Sequence, residues 1–225
     1  MISIDKQQRL LLNISRRLKQ KITVYAIGGT AMMFHGFKDS TLDIDLVFES
    51  EKDRTIFKKA AKSIGYQEMD AIQIYGFKSN RPQMLTLGDE RFDLFVSRVI
   101  NFQFSDDMQK RSQQTHLYTD SLLVRISDPH DIILMKCATD RAKDKDDAKK
   151  ILESTNINWE VIISEAKNQI RLGEEMAAFE LGCFLEELKK MKVKIPQQTL
   201  DELFKIVQEQ SKQKLKTRKR KTKKD

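Results

Sequence analysis

Asp43 and Asp45 stand two positions apart in Leu42-Asp43-Ile44-Asp45-Leu46-Val47-Phe48, an alternating stretch that reads as a strand. Both carboxylates then point to one face, roughly 6–7 Å apart along the backbone. Two like charges so placed repel unless cations or donors compensate. Mg²⁺ meets that need, because it takes hard oxygen ligands, draws one or two carboxylates from protein and completes its shell with water and substrate phosphates. Upstream lies Ile27-Gly28-Gly29-Thr30, with thirteen residues between Gly29 and Asp43. A glycine pair at a strand-to-helix turn lets backbone N–H groups approach an anion, and Thr30 adds a hydroxyl. A third acid, Asp93, sits in Arg91-Phe92-Asp93-Leu94-Phe95-Val96, with Phe92 and Leu94 expected on the opposite side of the strand. Three carboxylates on adjacent strands can hold two cations roughly 3.5–4 Å apart, one activating a hydroxyl and one clamping a triphosphate for in-line displacement. In that scheme Asp93 is the general base or the ligand that lowers the nucleophile's pKa.

The elements that must position these residues follow from periodicity. Leu10, Leu11, Leu12, Ile14 and Leu18 predict an amphipathic helix over about 5–20, and Ile22–Ile27 a strand. Gly28-Gly29 turns the chain into a short helix with Ala31, Met32, Met33 and Phe34, which Gly36 ends before the strand to Phe48. A charged helix is expected over 51–64, with Ile56, Phe57, Ala60, Ala61 and Ile64 inward. Strands are expected at Ile72–Phe77, Gln83–Leu87, Arg91–Val99 and Leu122–Ile126. Asp128-Pro129 caps a helix, and further helices fit 144–154, 158–170, 174–191 and 197–211. The expected architecture is α/β (α+β): a mixed sheet flanked by helices over residues 1–127 and an all-helical portion over 128–211. Residues 212–225 form a low-complexity basic segment expected to be disordered.

Charge and cysteine usage narrow the function classes. Residues 212–225 hold nine Lys or Arg and one Asp, while the remaining 32 basic and 32 acidic residues cancel, so the net charge of +8 belongs to the tail. Cys137 and Cys183 lie in apolar helical patterns without a CxxC or a nearby His pair, so neither a disulfide framework nor a zinc site is supported and buried thiols are expected. His35, His116 and His130 lack metal-like spacing. No run approaches the roughly 18–20 apolar residues that span a bilayer, and Met1-Ile2-Ser3-Ile4-Asp5-Lys6 lacks the layout of a signal peptide, so a cytoplasmic protein without a membrane partner is expected.

Ile27-Gly28-Gly29, Asp43-Ile44-Asp45-Leu46 and the later Phe92-Asp93-Leu94 together resemble the nucleotidyltransferase superfamily, whose signature is a hydrophobic-Gly-Gly/Ser turn, an Asp-x-Asp/Glu strand and a third acid on a later strand. Within it, Gly28-Gly29-Thr30-Ala31 leading to Thr41-Leu42-Asp43-Ile44-Asp45 looks most like AbiEii/MenT-like toxin-type and related stand-alone nucleotidyltransferases. Such relatives often carry a helix Lys and a later Arg-x-x-Asp-x-x-Asp stretch, matched by Lys136 and by Arg141 through Asp147. Many carry Arg where this chain has Lys38. The resemblance implies Mg²⁺ or Mn²⁺ held by Asp43, Asp45 and Asp93, and an NTP gripped by Gly28, Gly29, Thr30, Thr41 and Lys136. Asp144 and Asp147 would orient Lys136 or the nucleotide.

Two function classes are then in competition. One is an enzyme that moves a nucleoside monophosphate from an NTP to a hydroxyl of tRNA, protein or a small molecule, releasing pyrophosphate, with a cognate antitoxin or other partner protein in a toxin setting. The other is a non-catalytic nucleotidyltransferase-like module that binds RNA or a partner protein. The basic tail 212–225 would bind RNA through phosphates alone, since it contains no aromatic residue for stacking.

Overall fold

The computed structural model describes residues 1–139 and 141–221, with side chains through residue 213. The chain opens with β1 (Ile2–Ser3) and α1 (Ile4–Ser15), then β2 (Ile22–Ala26), α2 (Gly28–Phe34), β3 (Ser40–Thr41) and β4 (Ile44–Phe48). It continues through α3 (Glu51–Lys62), β5 (Gln67–Met69), α4 (Ile72–Tyr75), β6 (Gln83–Leu87) and β7 (Glu90–Val96). Next come β8 (Arg98–Val99), β9 (Phe102–Gln103), α5 (Asp106–Arg111), β10 (Thr115–Tyr118) and β11 (Leu122–Ile126). Five helices close the described chain: α6 (Pro129–Lys136), α7 (Ala142–Ser154), α8 (Trp159–Arg171), α9 (Ala177–Lys190) and α10 (Gln197–Lys221). The expected α/β class with a helical C-terminal portion is what the molecule shows.

The main sheet runs β10-β11-β2-β4-β7-β6-β5, with β8 and β9 extending from β7, while β1 pairs separately with β3. β11 lies parallel to β2 and β4 parallel to β7; the β2–β4, β7–β6, β6–β5 and β10–β11 pairs are antiparallel. The central strands are buried on both faces, which is why β2 and β4 read as nearly continuous apolar runs. α3 is started by Ser50, whose hydroxyl accepts from the Asp53 N–H at 3.1 Å, and carries acids in its first turn and Lys59 and Lys62 in its last. Its Phe57 packs edge-on against Phe48 at 5.4 Å and Phe92 at 5.6 Å. One sheet face, bearing Ile44, Leu46, Phe48, Phe92 and Leu94, is therefore committed to the core. By alternation Asp45 and Asp93 emerge on the other face.

Two polar devices join the sheet to the C-terminal helices. The Gln169 side chain donates to the Gln103 carbonyl at 2.8 Å and accepts from its N–H at 2.9 Å, satisfying the edge of β9 as another strand would. Arg111 on α5 donates to Asp131 on α6 at 2.7 and 3.0 Å and to Glu165 on α8 at 2.5 Å. Both acids are buried, so the guanidinium fork offsets their desolvation.

Several expectations need correction. Ile72–Phe77 is not a strand. The Asp70 carboxylate accepts from the Ile72 N–H at 2.9 Å, starting the short helix α4, and Gly76 at φ +59° ends it. Phe77 is 91% exposed, so the alternating apolar residues there line no sheet face. The neighbouring edge is taken by β5, which the sequence did not reveal, and β10 and α5 were likewise unforeseen. The strand expected over Arg91–Val99 breaks at Ser97, φ +55°, into β7 and β8. Cys137 and Cys183 are free and half-buried, rather than buried. α10 continues past residue 211, where a disordered tail was expected to begin, in a stretch rich in good helix formers and free of Gly and Pro. Residues 222–225 of that tail lie outside the described residues. Among the described residues no helix is long and apolar enough to cross a membrane.

Candidate nucleotide and metal site

Asp45 on β4 and Asp93 on β7 are register partners in the parallel pair, and Asp43 lies in the bend just before β4. One carboxylate oxygen from each of the three lies within 4.8 Å of the others. Asp93 is fully buried, Asp43 and Asp45 partly so. Tyr75, from the end of α4, donates its hydroxyl to Asp93 Oδ2 at 2.7 Å. The Arg91 guanidinium makes a close ion pair with Asp43 Oδ2, and its Nε sits 3.1 Å from Asp93 Oδ1. That second approach lacks hydrogen-bond geometry, so Asp93 Oδ1 and Arg91 Nε are both buried with no hydrogen-bond partner. Burial and then the charge of Asp93 push the Asp45 carboxyl up to about 7, although Asp45 keeps some surface in the cleft. Burial also raises Asp93, against the pull of Arg91 and Tyr75.

The glycine turn is built around these acids. Gly28 has φ +54°, and a Cβ there would lie 2.8 Å from Asp45 Oδ2. A Cβ on Gly29 would overlap the Thr41 hydroxyl. Thr30 is fully buried, and its hydroxyl accepts from the Asp45 N–H at 2.8 Å. The buried Thr41 hydroxyl points at Asp43 Oδ1 at 3.5 Å. Of the five residues expected to grip the NTP, Gly28 and Lys136 line the open cleft; Gly29, Thr30 and Thr41 are buried, with the two threonine hydroxyls directed at Asp45 and Asp43.

Across the cleft stands a cationic wall. Lys136, in the last turn of α6, donates to Asp144 Oδ1 at 2.8 Å and Asp147 Oδ2 at 2.7 Å, both on α7. Lys38 donates to the other Asp147 oxygen at 2.6 Å, and Arg141 Nε to Asp144 Oδ2 at 2.7 Å. The Thr139 hydroxyl also bonds Asp144. Burial alone would raise the Asp144 carboxyl, but Lys136, Arg141 and Thr139 bring it down to about 2. Burial works against the Lys136 charge, yet Asp144 and Asp147 hold its pKa above the usual value. The Arg-x-x-Asp-x-x-Asp stretch is therefore one network with Lys136. Lys136, Arg141 and Asp144 face Gly28, Asp45 and Tyr75 across the cleft, and Phe95, Ile132 and Met135 supply apolar wall.

Tyr75, Arg91 and Arg141 went unassigned from sequence. Arg141 stood in the Arg-x-x-Asp-x-x-Asp stretch without a role of its own, and Arg91 had a usable signal in its i, i+2 spacing from Asp93 on one strand face. His35 is engaged with the Ser127 carbonyl at 2.9 Å, His130 with Asp128 and the Asn158 N–H, and His116 stacks on Phe34.

The donor set fits a divalent cation of the Mg²⁺ class. It offers three hard carboxylate oxygens, and Asp93 Oδ1 is a buried acceptor that no protein hydrogen bond uses.

Residues 1–192 match the model of the family described as "Nucleotidyltransferase of unknown function (DUF6036)". No curated protein matches the chain. Among solved structures, it is similar to ANT(2")-Ia in complex with adenylyl-2"-tobramycin, at 14% identity and a TM-score of 0.45, over 80% of this chain and 98% of that one.

Proposed function

The chain belongs to this nucleotidyltransferase family, and from that premise we propose that it transfers a nucleoside monophosphate from an NTP to an acceptor hydroxyl, releasing pyrophosphate. One observation carries the proposal: three aspartates converge, and one of them, Asp45, lines a cleft that also presents Lys136 and Arg141. That is the charge layout an NTP and a divalent cation require together.

Asp43, Asp45 and Asp93 would hold Mg²⁺ or Mn²⁺, which when bound neutralises phosphate charge and makes a nearby hydroxyl a better nucleophile. The chain's own groups do the rest. Asp45 faces the cleft and is the carboxylate best placed to meet substrate. Asp93, fully buried and bonded by Tyr75, suits the role of ligand better than that of a general base, which must reach the proton it removes. Gly28 lets the backbone approach phosphate without displacing Asp45. Lys136 and Arg141 set positive charge against the triphosphate, held in place by Asp144 and Asp147. Phe95, Ile132 and Met135 offer an apolar surface for the base.

The acceptor class is a hydroxyl of tRNA, protein or a small molecule. The Gly28–Ala31 and Thr41–Asp45 motifs favour kinship with toxin-type enzymes, in which a partner protein restrains the activity. A crystal structure with Mg²⁺ and a non-hydrolysable NTP tests the assignment of residues. The metal should lie among Asp43, Asp45 and Asp93 with the triphosphate against Lys136 and Arg141. Nucleotide bound away from these residues would sink it.

A further inference from the structure

We propose that Arg91 is the internal counter-ion of the aspartate site, holding carboxylates that a divalent cation needs, so that the cation loads only as the guanidinium releases Asp43 and Asp93. The inference rests on the metal-dependent transfer proposed above and concerns how the site is kept before the metal arrives.

Three carboxylates drawn within 4.8 Å of one another repel strongly at a partly buried position. Arg91 is the cation that answers them from inside the cluster. It stands two residues before Asp93 on β7, on the same strand face, and bridges Asp43 and Asp93. A purely structural arginine at such a place would use its planar fork bidentately and satisfy both partners. Arg91 does not. Its Nε approaches Asp93 Oδ1 at 3.1 Å without hydrogen-bond geometry, leaving both atoms buried and unbonded. Tyr75 meanwhile fixes Asp93 by Oδ2 alone. Asp93 Oδ1 is thus the oxygen kept for a ligand, with the guanidinium beside it at ion-pair distance. The Arg91 side chain is 18% exposed, so it reaches solvent and is not sealed in the core.

Competition of this kind lowers apparent metal affinity by the fraction of molecules in which Arg91 has let go. Replacing it with an uncharged side chain of similar length removes the competitor and also the metal-free balance of charge. A supporting arginine would have the opposite effect on metal affinity.

Calorimetric titration with Mn²⁺ of the wild-type chain, Arg91→Met, Arg91→Lys and Asp45→Asn, with Tm measured with and without Mn²⁺, separates the two. Arg91→Met should bind Mn²⁺ about tenfold tighter than wild type. It should melt lower without metal and recover more on its addition, with Arg91→Lys in between. Equal or weaker binding by Arg91→Met, with Mn²⁺ still lost in Asp45→Asn, overturns the role of Arg91 and leaves the aspartate site standing. Undiminished binding by Asp45→Asn places the metal elsewhere and removes both. If Arg91→Met does not fold, the Arg91 Nε–H signal of isotope-labelled wild type decides. It should shift and exchange faster with solvent on Mg²⁺ addition, and a signal unchanged at saturating Mg²⁺ overturns the proposal.

Discussion

Asp45 and Asp93 sit opposite each other in the β4–β7 register, each with its carboxyl raised by burial, and a hydroxyl from Tyr75 is bonded to one of them. Such a pair is expensive for a fold to keep, since an apolar or amide residue at either place would relieve repulsion.

Asp45→Asn should accordingly stabilise the metal-free protein while abolishing transfer. Removing one of two crowded carboxylates is expected to add about 1 kcal/mol, a rise in Tm of roughly 2–4 °C for a chain of this size. Transfer should fall at least about 100-fold. Thermal melting in chelator beside a nucleotide-transfer assay checks both, and a lower Tm for the variant would count against the crowded pair.

Gly28→Ala tests whether the turn serves the acids. The residue has φ +54° and its Cβ would meet Asp45 Oδ2 at 2.8 Å. A destabilisation of about 1–2 kcal/mol is expected from the left-handed backbone. Mn²⁺ affinity should fall as well, because Asp45 must move. A variant that melts lower but binds Mn²⁺ normally would separate the turn from the metal site.

Acid stability should report Asp144. Its carboxyl is held down to about 2 in the folded protein against an ordinary value of 3.8. A depressed folded pKa gives stability that is complete above about 4 and lost as pH falls towards 2, worth roughly 2 kcal/mol over that window. Denaturant melts between pH 5 and 2 should show this slope in wild type and a flatter one in Asp144→Asn. Identical slopes would mean that the Lys136–Asp144–Arg141 network does not tune this acid.

The basic end of the chain makes a separate prediction. Truncation after Gln210 removes the nine cationic residues of 212–225. RNA affinity measured against salt should drop, with a shallower log–log slope, if these residues neutralise phosphates. An unchanged affinity and slope would remove the tail from any RNA contact.

The strand placement of Asp45 and Asp93 was legible because alternation with Ile44, Leu46, Phe92 and Leu94 fixes which face each side chain takes. The same rule misread Ile72–Phe77, where a single Asp70 turn and Gly76 made a helix, and so it hid Tyr75. Thr30 and Thr41 carried a signal for hydroxyls near phosphate, but their burial commits them to Asp45 and Asp43. Arg91 stood in plain view beside Asp93. Its bridge to Asp43 depends on the bend before β4, which no periodicity describes.

The most direct measurement is transfer itself. Wild-type protein and Asp45→Asn are incubated with each of the four NTPs labelled at the α-phosphate, Mg²⁺ and cell extract, and both labelled acceptor and pyrophosphate are followed. Wild type should move label from at least one NTP to an acceptor with matching pyrophosphate release, and Asp45→Asn should do neither. No transfer and no pyrophosphate from any NTP, or transfer undiminished in Asp45→Asn, would contradict the account.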